Sequence, residues 1–215
     1  MIKVLFSNTP GRKRHALLQV IGVLILFLGG CSAPAPPSQG SYPEQLTAAR
    51  AFKDAEFQNS SDSPVPLSRR ETLLPLSYFP PALGYRVPAS LQVDNNQVEF
   101  EIPTSTGKRR TMRRVGILEF TLKGNPLNLS AFVEASSNDR ESLFVPFGDL
   151  TNGTETYPAG RYLDLNLTST GIYDLDFNLA YHPFCYYDER YDCPYPPPEN
   201  QLSTPVRAGE RLPRN

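Results

Sequence analysis

The sequence predicts a mainly β protein, an antiparallel β-sandwich or open barrel of about eight strands with one N-terminal amphipathic helix. Two observations carry this expectation. From Tyr85 onward apolar residues recur with period two over several short segments. Consecutive segments are joined by turn-forming residues with no helical stretch between them, which favours hairpins over parallel crossovers. Composition sets the outer bounds: 215 residues, 21 Lys+Arg against 22 Asp+Glu, 22 Pro, three Cys and 40% apolar residues. These figures exclude a multi-spanning membrane protein, a disulfide-dense miniprotein and a basic nucleic-acid binder, so no nucleic acid is expected as a partner.

Residues 1–30 read as a signal peptide. Arg12-Lys13-Arg14 precede an apolar run from Ala16 to Leu28, which ends in Leu28-Gly29-Gly30-Cys31. The run is shorter than the roughly 20 residues that span a bilayer, and it flows into the Pro-rich stretch from Ser32 to Gly40. Leu-Gly-Gly-Cys resembles the bacterial lipobox, which implies that Cys31 is lipidated, with palmitate among the usual chains, and becomes the new N-terminus. The expected location is therefore the bacterial cell envelope, lipid-anchored and extracytoplasmic, with the membrane as a partner through the anchor. Ser32, in place of Asp, favours the outer membrane of a two-membrane cell. Residues 31–43 read as a Pro/Ser-rich tether and residues 44–215 as a single β-rich domain.

Leu46, Ala49, Phe52 and either Ala55 or Phe57 lie at helical spacing with Arg50, Lys53 and Asp54 between them, predicting a helix over 44–59. Residues 61–66 and Tyr78-Phe79-Pro80-Pro81 read as loops. A first hairpin joins 85–93 with 98–102 across Asn95-Asn96, and a second joins 118–122 with 127–131 across Gly124-Asn125. Leu143 to Phe147 is a further strand, and Thr204 to Arg207 is counted as a last one. Lys108 to Arg114, with five charges in seven residues, reads as a solvated loop or strand edge. Residues 181–198 hold five of the eleven tyrosines, two cysteines and repeated prolines, and so form a stiff loop that caps one end of the fold or walls a pocket.

A third hairpin joins 161–168 with 172–180. Leu163, Leu165 and Leu167 form one apolar row and Tyr173, Leu175, Phe177 and Leu179 another. Pairing Thr168 with Ile172 places both rows on one face. Asp164 then opposes Asp176, with Asp174 nearby on the same face. Opposed like charges destabilise a sheet, so these acids are expected to share a cation, either a divalent metal held by Asp164, Asp174 and Asp176 or an arginine such as Arg161 or Arg207. The alternatives are a proton retained by one carboxyl and a hydrated acidic face. An oxygen-rich set suits Ca²⁺ or Mg²⁺ better than zinc. After cleavage His182 is the single histidine, and no Gly-x-Ser-x-Gly, Walker or dinucleotide motif is present. Cys185 and Cys193, seven residues apart in an exported chain, are expected to form a disulfide, with metal binding alongside His182 or Asp192 as the rival.

Leu143-Phe144-Val145-Pro146-Phe147, Glu155-Thr156-Tyr157, Gly160-Arg161-Tyr162-Leu163, Asp176-Phe177-Asn178, Ala180-Tyr181, Cys193-Pro194 and Ala208-Gly209-Glu210 resemble, in order, the bacterial Domain of Unknown Function 1684 family. The resemblance covers roughly residues 44–211. It implies no particular activity, substrate or cofactor, but it concentrates motif residues between Glu155 and Glu210. Asparagine is frequent in that family at the position of His182, which argues against an obligatory catalytic histidine. Candidate ligand-binding residues are therefore Glu155, Tyr157, Arg161, Tyr162, Asp164, Asp176, Asn178, Tyr181 and His182. The leading expectation is a domain that binds a small polar ligand or an envelope partner through this region. A metal-assisted hydrolase using acids of the 161–180 hairpin and an envelope scaffold without a small-molecule site are the rivals.

Overall fold

A computed structural model describes residues 40–96, 98–136 and 142–213. The signal peptide, Cys31 and most of the tether lie outside the described residues. Helix α1, Tyr42–Asn59, starts two residues earlier than expected. Pro43 sits in its first turn, where a missing N–H costs nothing, and Glu44 accepts a bond from the Ser41 N–H at 2.6 Å. The buried face is also turned from the predicted stripe. Leu46 and Phe57 are buried, Phe52 is 66% exposed, and Arg50 and Lys53 lie on the inward side. A second helix, α2 (Leu67–Leu73), escaped the sequence reading because seven residues are too few for a helical period to register. Its Leu73 joins Phe57, Val65, Leu76 and Tyr187 in a small apolar cluster.

Seven strands follow: β1 Arg86–Val93, β2 Glu99–Pro103, β3 Arg109–Leu122, β4 Asn125–Glu134, β5 Ser142–Phe147, β6 Arg161–Asn166 and β7 Ile172–Asp176. They form one antiparallel sheet, ordered β6-β5-β4-β3-β1-β7 with β2 also on β3, that nearly closes into a barrel. Residues 204–207 form no strand, which is why the count is seven. The interior is filled from inward-facing positions, among them Leu118, Leu129, Leu143, Val145, Leu163, Leu165, Leu175 and Phe177.

The first predicted hairpin does not form, because β1 and β2 both pair with the 14-residue β3, through Ala89↔Phe120 and Glu99↔Arg113 respectively. The second does form, but its turn is Lys123-Gly124, with φ 51° and 83°, so Leu122 faces Asn125 and Leu118 faces Leu129. The register differs by two residues from the predicted one, which leaves every side chain on its expected face. Two central residues with positive φ fit the twist of the flanking strands, and Gly124 meets that demand without a Cβ. The basic stretch is neither loop nor free edge, since Arg109 to Arg114 open β3 between β2 and β4. Arg110 and Arg114 there pair with Asp192 and Asp94.

The third predicted hairpin is the main correction. β6 pairs with β5, Leu143↔Leu165, whereas β7 pairs with β1, Arg86↔Asp176. Asp164 and Asp176 therefore belong to strands at opposite ends of the strand order and do not oppose each other. The parity argument holds, since Leu163, Leu165, Tyr173 and Leu175 all face the core. It fails to fix the partner because two inward rows can share a barrel interior without sharing a ladder. The chain also leaves the strand early: Phe177–Leu179 is a 3₁₀ turn, and Leu167 and Leu179 are exposed. At the seam between β6 and β7, Tyr162 and Tyr181 form an isolated bridge. The C-terminal segment then lies along residues 77–79, with the Phe79 N–H donating to the Gly209 carbonyl at 2.9 Å.

Candidate functional site

On β4, β5 and β6 the odd-numbered residues fill the barrel, so Phe132, Phe144 and Tyr162 point outward. Aromatic rings at solvent-side positions require a cover; β2 supplies it to Phe132 through Phe100 and Ile102, and the tyrosine loop supplies it to Phe144 and Tyr162. Its backbone is fixed to the β2–β3 connection: the Ser105 N–H donates to the Cys193 carbonyl at 2.9 Å, and the Tyr195 N–H donates to the Pro103 carbonyl at 2.9 Å. The Ser105 hydroxyl donates to the Tyr191 carbonyl at 2.9 Å, and the Tyr162 hydroxyl donates to the Pro194 carbonyl.

Loop and sheet do not close completely on each other. Between them lies a cleft of about 450 Å³, walled by Met112, Val133, Phe144, Tyr162, Tyr181, Phe184, Tyr191, Cys193 and Pro194, with Arg110, Glu134, Ser142 and Asp192 as its polar members. Phe144 meets Tyr162 edge-on at 4.7 Å, and Phe184 meets Tyr191 at 5.3 Å. Arg110 donates to the Asp192 carbonyl at 2.7 Å and stands 3.7 Å from Glu134. Hydrogen bonds from Thr104 and Thr106 bring the Asp192 carboxyl down to about 2. The polar group thus holds two acids around one guanidinium. Burial pushes the Tyr162 and Tyr181 hydroxyls well above their ordinary value, so both are neutral.

Cys185 and Cys193, expected as a disulfide, are both free thiols here. They stand side by side, the Cys185 N–H donating to the Cys193 sulfur at 3.1 Å. Their mutual hydrogen bond lowers the Cys185 thiol against the opposing effect of burial and raises that of Cys193.

The sequence-derived candidates divide into two groups. Tyr162 and Tyr181 line the cleft, and Asp164 accepts from the Tyr181 hydroxyl at 2.6 Å. Arg161, Asp176, Asn178 and His182 are buried elsewhere and serve the fold. Arg161 pairs with Asp149 at 2.9 Å, and Asp176 accepts from the Tyr42 hydroxyl at 2.6 Å. Asn178 exchanges bonds with both backbone groups of Ala82. His182 accepts from the Tyr157 N–H at 3.3 Å. Burial drives its imidazole down to about 4, and the nearby Glu210 only partly opposes this. Glu210 accepts from Lys53, from the His182 N–H and from the Tyr187 hydroxyl, each at 2.7 Å. Burial would raise the Glu210 carboxyl, but Lys53 and its other donors outweigh that and hold it below its ordinary value.

The cation-sharing expectation is not met as stated. Asp174 pairs with Arg86, Glu155 with Arg207 at 2.8 Å, and Asp164 and Asp176 each accept from a tyrosine hydroxyl, Tyr181 and Tyr42. Among the described residues no group of three or more His, Cys, Asp and Glu is arranged to hold a metal. The sequence reading missed Arg110, Met112 and Glu134 as cleft residues. The available signal was aromatic parity: Phe132, Phe144 and Tyr162 stand where a solvated face would be polar.

A family model described as "Protein of unknown function (DUF1684)" matches residues 72–211. Among solved structures, the chain is similar to the solution NMR structure of an uncharacterized protein from Haloarcula marismortui. The two share 40% identity and a TM-score of 0.63, over 79% of this chain and 93% of that one. The likeness thus reaches an archaeal protein, beyond the bacterial family that the motifs suggest. No curated protein matches.

Proposed function

This chain belongs to the DUF1684 family, and on that premise we propose that it is a binding module whose site is the cleft between the tyrosine loop and the outer face of β4, β5 and β6. The ligand is a small polar molecule with a flat or apolar body. The observation that carries this reading is the cleft itself. Its volume of about 450 Å³ falls within the roughly 300–1,000 Å³ of small-molecule sites. Aromatic walls grip an apolar body at little entropic cost, and the Arg110, Glu134 and Asp192 group offers donors and acceptors at one side. The hydrolase reading loses its basis because its acids sit on strands that do not pair. A thermal-shift screen of the full chain against small polar metabolites tests the proposal. A ligand should raise the unfolding midpoint, and Tyr191→Ala should abolish that rise while leaving the unliganded midpoint nearly unchanged. A rise that survives Tyr191→Ala at full size would place binding elsewhere.

The same proposal puts the domain outside the cytoplasm, in a cell envelope, held by an acylated Cys31. Its support is the basic segment, the short apolar run and the Gly30-Cys31 end. Among the described residues no helix is long and apolar enough to cross a membrane. Intact-mass spectrometry of membrane-extracted protein should give a chain that begins at Cys31 and carries acyl groups. A full-length unmodified mass would defeat this part of the reading.

A further inference from the structure

We propose that Cys185 and Cys193 are a redox-active dithiol, a modification site in the cleft wall at which small disulfides such as oxidised glutathione set the shape of the cleft. The inference rests on the reading of the cleft as the binding site. Three observations lead to it. The thiols are free and adjacent, with the Cys185 N–H on the Cys193 sulfur at 3.1 Å. That proximity is what a bond between the two sulfurs requires. The two residues are only 9% and 7% exposed, yet Cys193 faces the cleft. The cleft therefore brings a small disulfide to the side of the pair.

The third observation concerns what the pair encloses. Tyr191 and Asp192 lie between the two cysteines, Phe184 directly precedes the first, and all three line the cleft. A covalent bond at the base of this loop acts on the wall that meets the ligand. The environment suits exchange chemistry as well. The Tyr157 hydroxyl lies 4.0 Å from the Cys185 sulfur, and the bond shared by the thiols favours one thiolate between them, the form that attacks disulfides.

The chemistry balances with the small disulfide as oxidant. The thiolate attacks one sulfur of the reagent, a protein–reagent mixed disulfide forms, and the first small thiolate leaves. The second cysteine gives its proton to solvent and attacks the protein sulfur of the mixed disulfide. The intramolecular bond closes and the second small thiolate leaves. The dithiol loses two electrons and two protons, and the reagent departs as two thiols after taking up protons.

The test equilibrates the full chain in buffers of varied reduced-to-oxidised glutathione ratio, traps free thiols by alkylation and maps Cys31, Cys185 and Cys193 by peptide mass spectrometry. The expected result is a reversible conversion of the pair, with an internal disulfide that lacks two hydrogens. Cys193→Ser should stall with glutathione on Cys185, whereas Cys185→Ser should take up little. A pair that stays fully alkylatable in oxidised glutathione under native conditions would overturn the proposal. Amide exchange of residues 186–192 should slow in the oxidised form while that of β3 and β4 stays the same. Equal exchange in both forms would overturn the claim that the bond shapes the cleft. The wild-type titration needs no ligand, so failure to find one would sink the binding reading without touching the redox result.

Discussion

Arg161 is fully buried, and its charge is tolerated because both terminal nitrogens are met by oxygen, although its Nε finds no partner among the described residues. One terminal nitrogen reaches Asp149 at 2.9 Å and the Val206 carbonyl at 2.7 Å; the other reaches the carbonyls of Ala208 and Glu210. Arg161→Met should cost about 3–5 kcal/mol in urea unfolding, because Asp149 is left buried without its partner. Arg161→Lys should recover little of this, since a point charge cannot serve four acceptors spread around a planar fork. His182 gives a pH signature. Its folded value near 4 lies below its ordinary 6.5, so between those values the unfolded chain binds a proton that the folded one refuses. The His182 contribution should be constant above pH 6.5 and fall by on the order of 3 kcal/mol as pH drops to 4. His182→Asn should flatten that slope in urea titrations run at stepped pH. Both residues were sequence candidates for ligand contact. A motif reports that a residue type is required without saying which way it points. For Arg161 the answer was nonetheless legible, since it shares odd parity with Leu163 and Leu165 on β6.

At the scale of elements, faces were legible and partners were not. Alternation identified β1, β2, β4, β5, β6, β7 and the end of β3, and it put Leu118, Leu129, Leu143, Leu163, Leu165 and Leu175 on the core face, though not Leu167 and Leu179. Pairing failed wherever sequence neighbours were assumed to be sheet neighbours, as with β1 beside β2 and β6 beside β7. The long β3 accepts two partners end to end on one edge, an arrangement that no local turn signal encodes. Helix α1 shows the same limit. Its period was visible, but Lys53 and Arg50 turn inward because Glu210 and the Phe79 carbonyl await them there. Close packing between elements gives a prediction at Gly209. It has φ 75°, and an added Cβ would lie 2.4 Å from the Ala180 carbonyl oxygen. Gly209→Ala should destabilise the protein by more than about 1 kcal/mol in chemical denaturation, since strained backbone and steric overlap act together.

The β-rich domain is fastened by residues 202–210. Leu202, Val206 and Ala208 belong to the barrel core, Glu210 receives Lys53 from α1, and residues 206–210 supply three of the four acceptors of Arg161. A chain truncated after Ser203 should lose its cooperative thermal transition by circular dichroism, because β6 would carry a buried guanidinium short of acceptors. A sharp transition in the truncated chain would contradict this. The seam between β6 and β7 gives the same fact a meaning in time. These strands are neighbours along the chain but not in the sheet, so hairpin zippering cannot close the barrel. Synthesis delivers Arg161 well before the carbonyls that let it leave water. The nascent chain must therefore stay open until residues 206–210 can dock, and closure waits on a segment 45 to 49 positions downstream of the charge it neutralises.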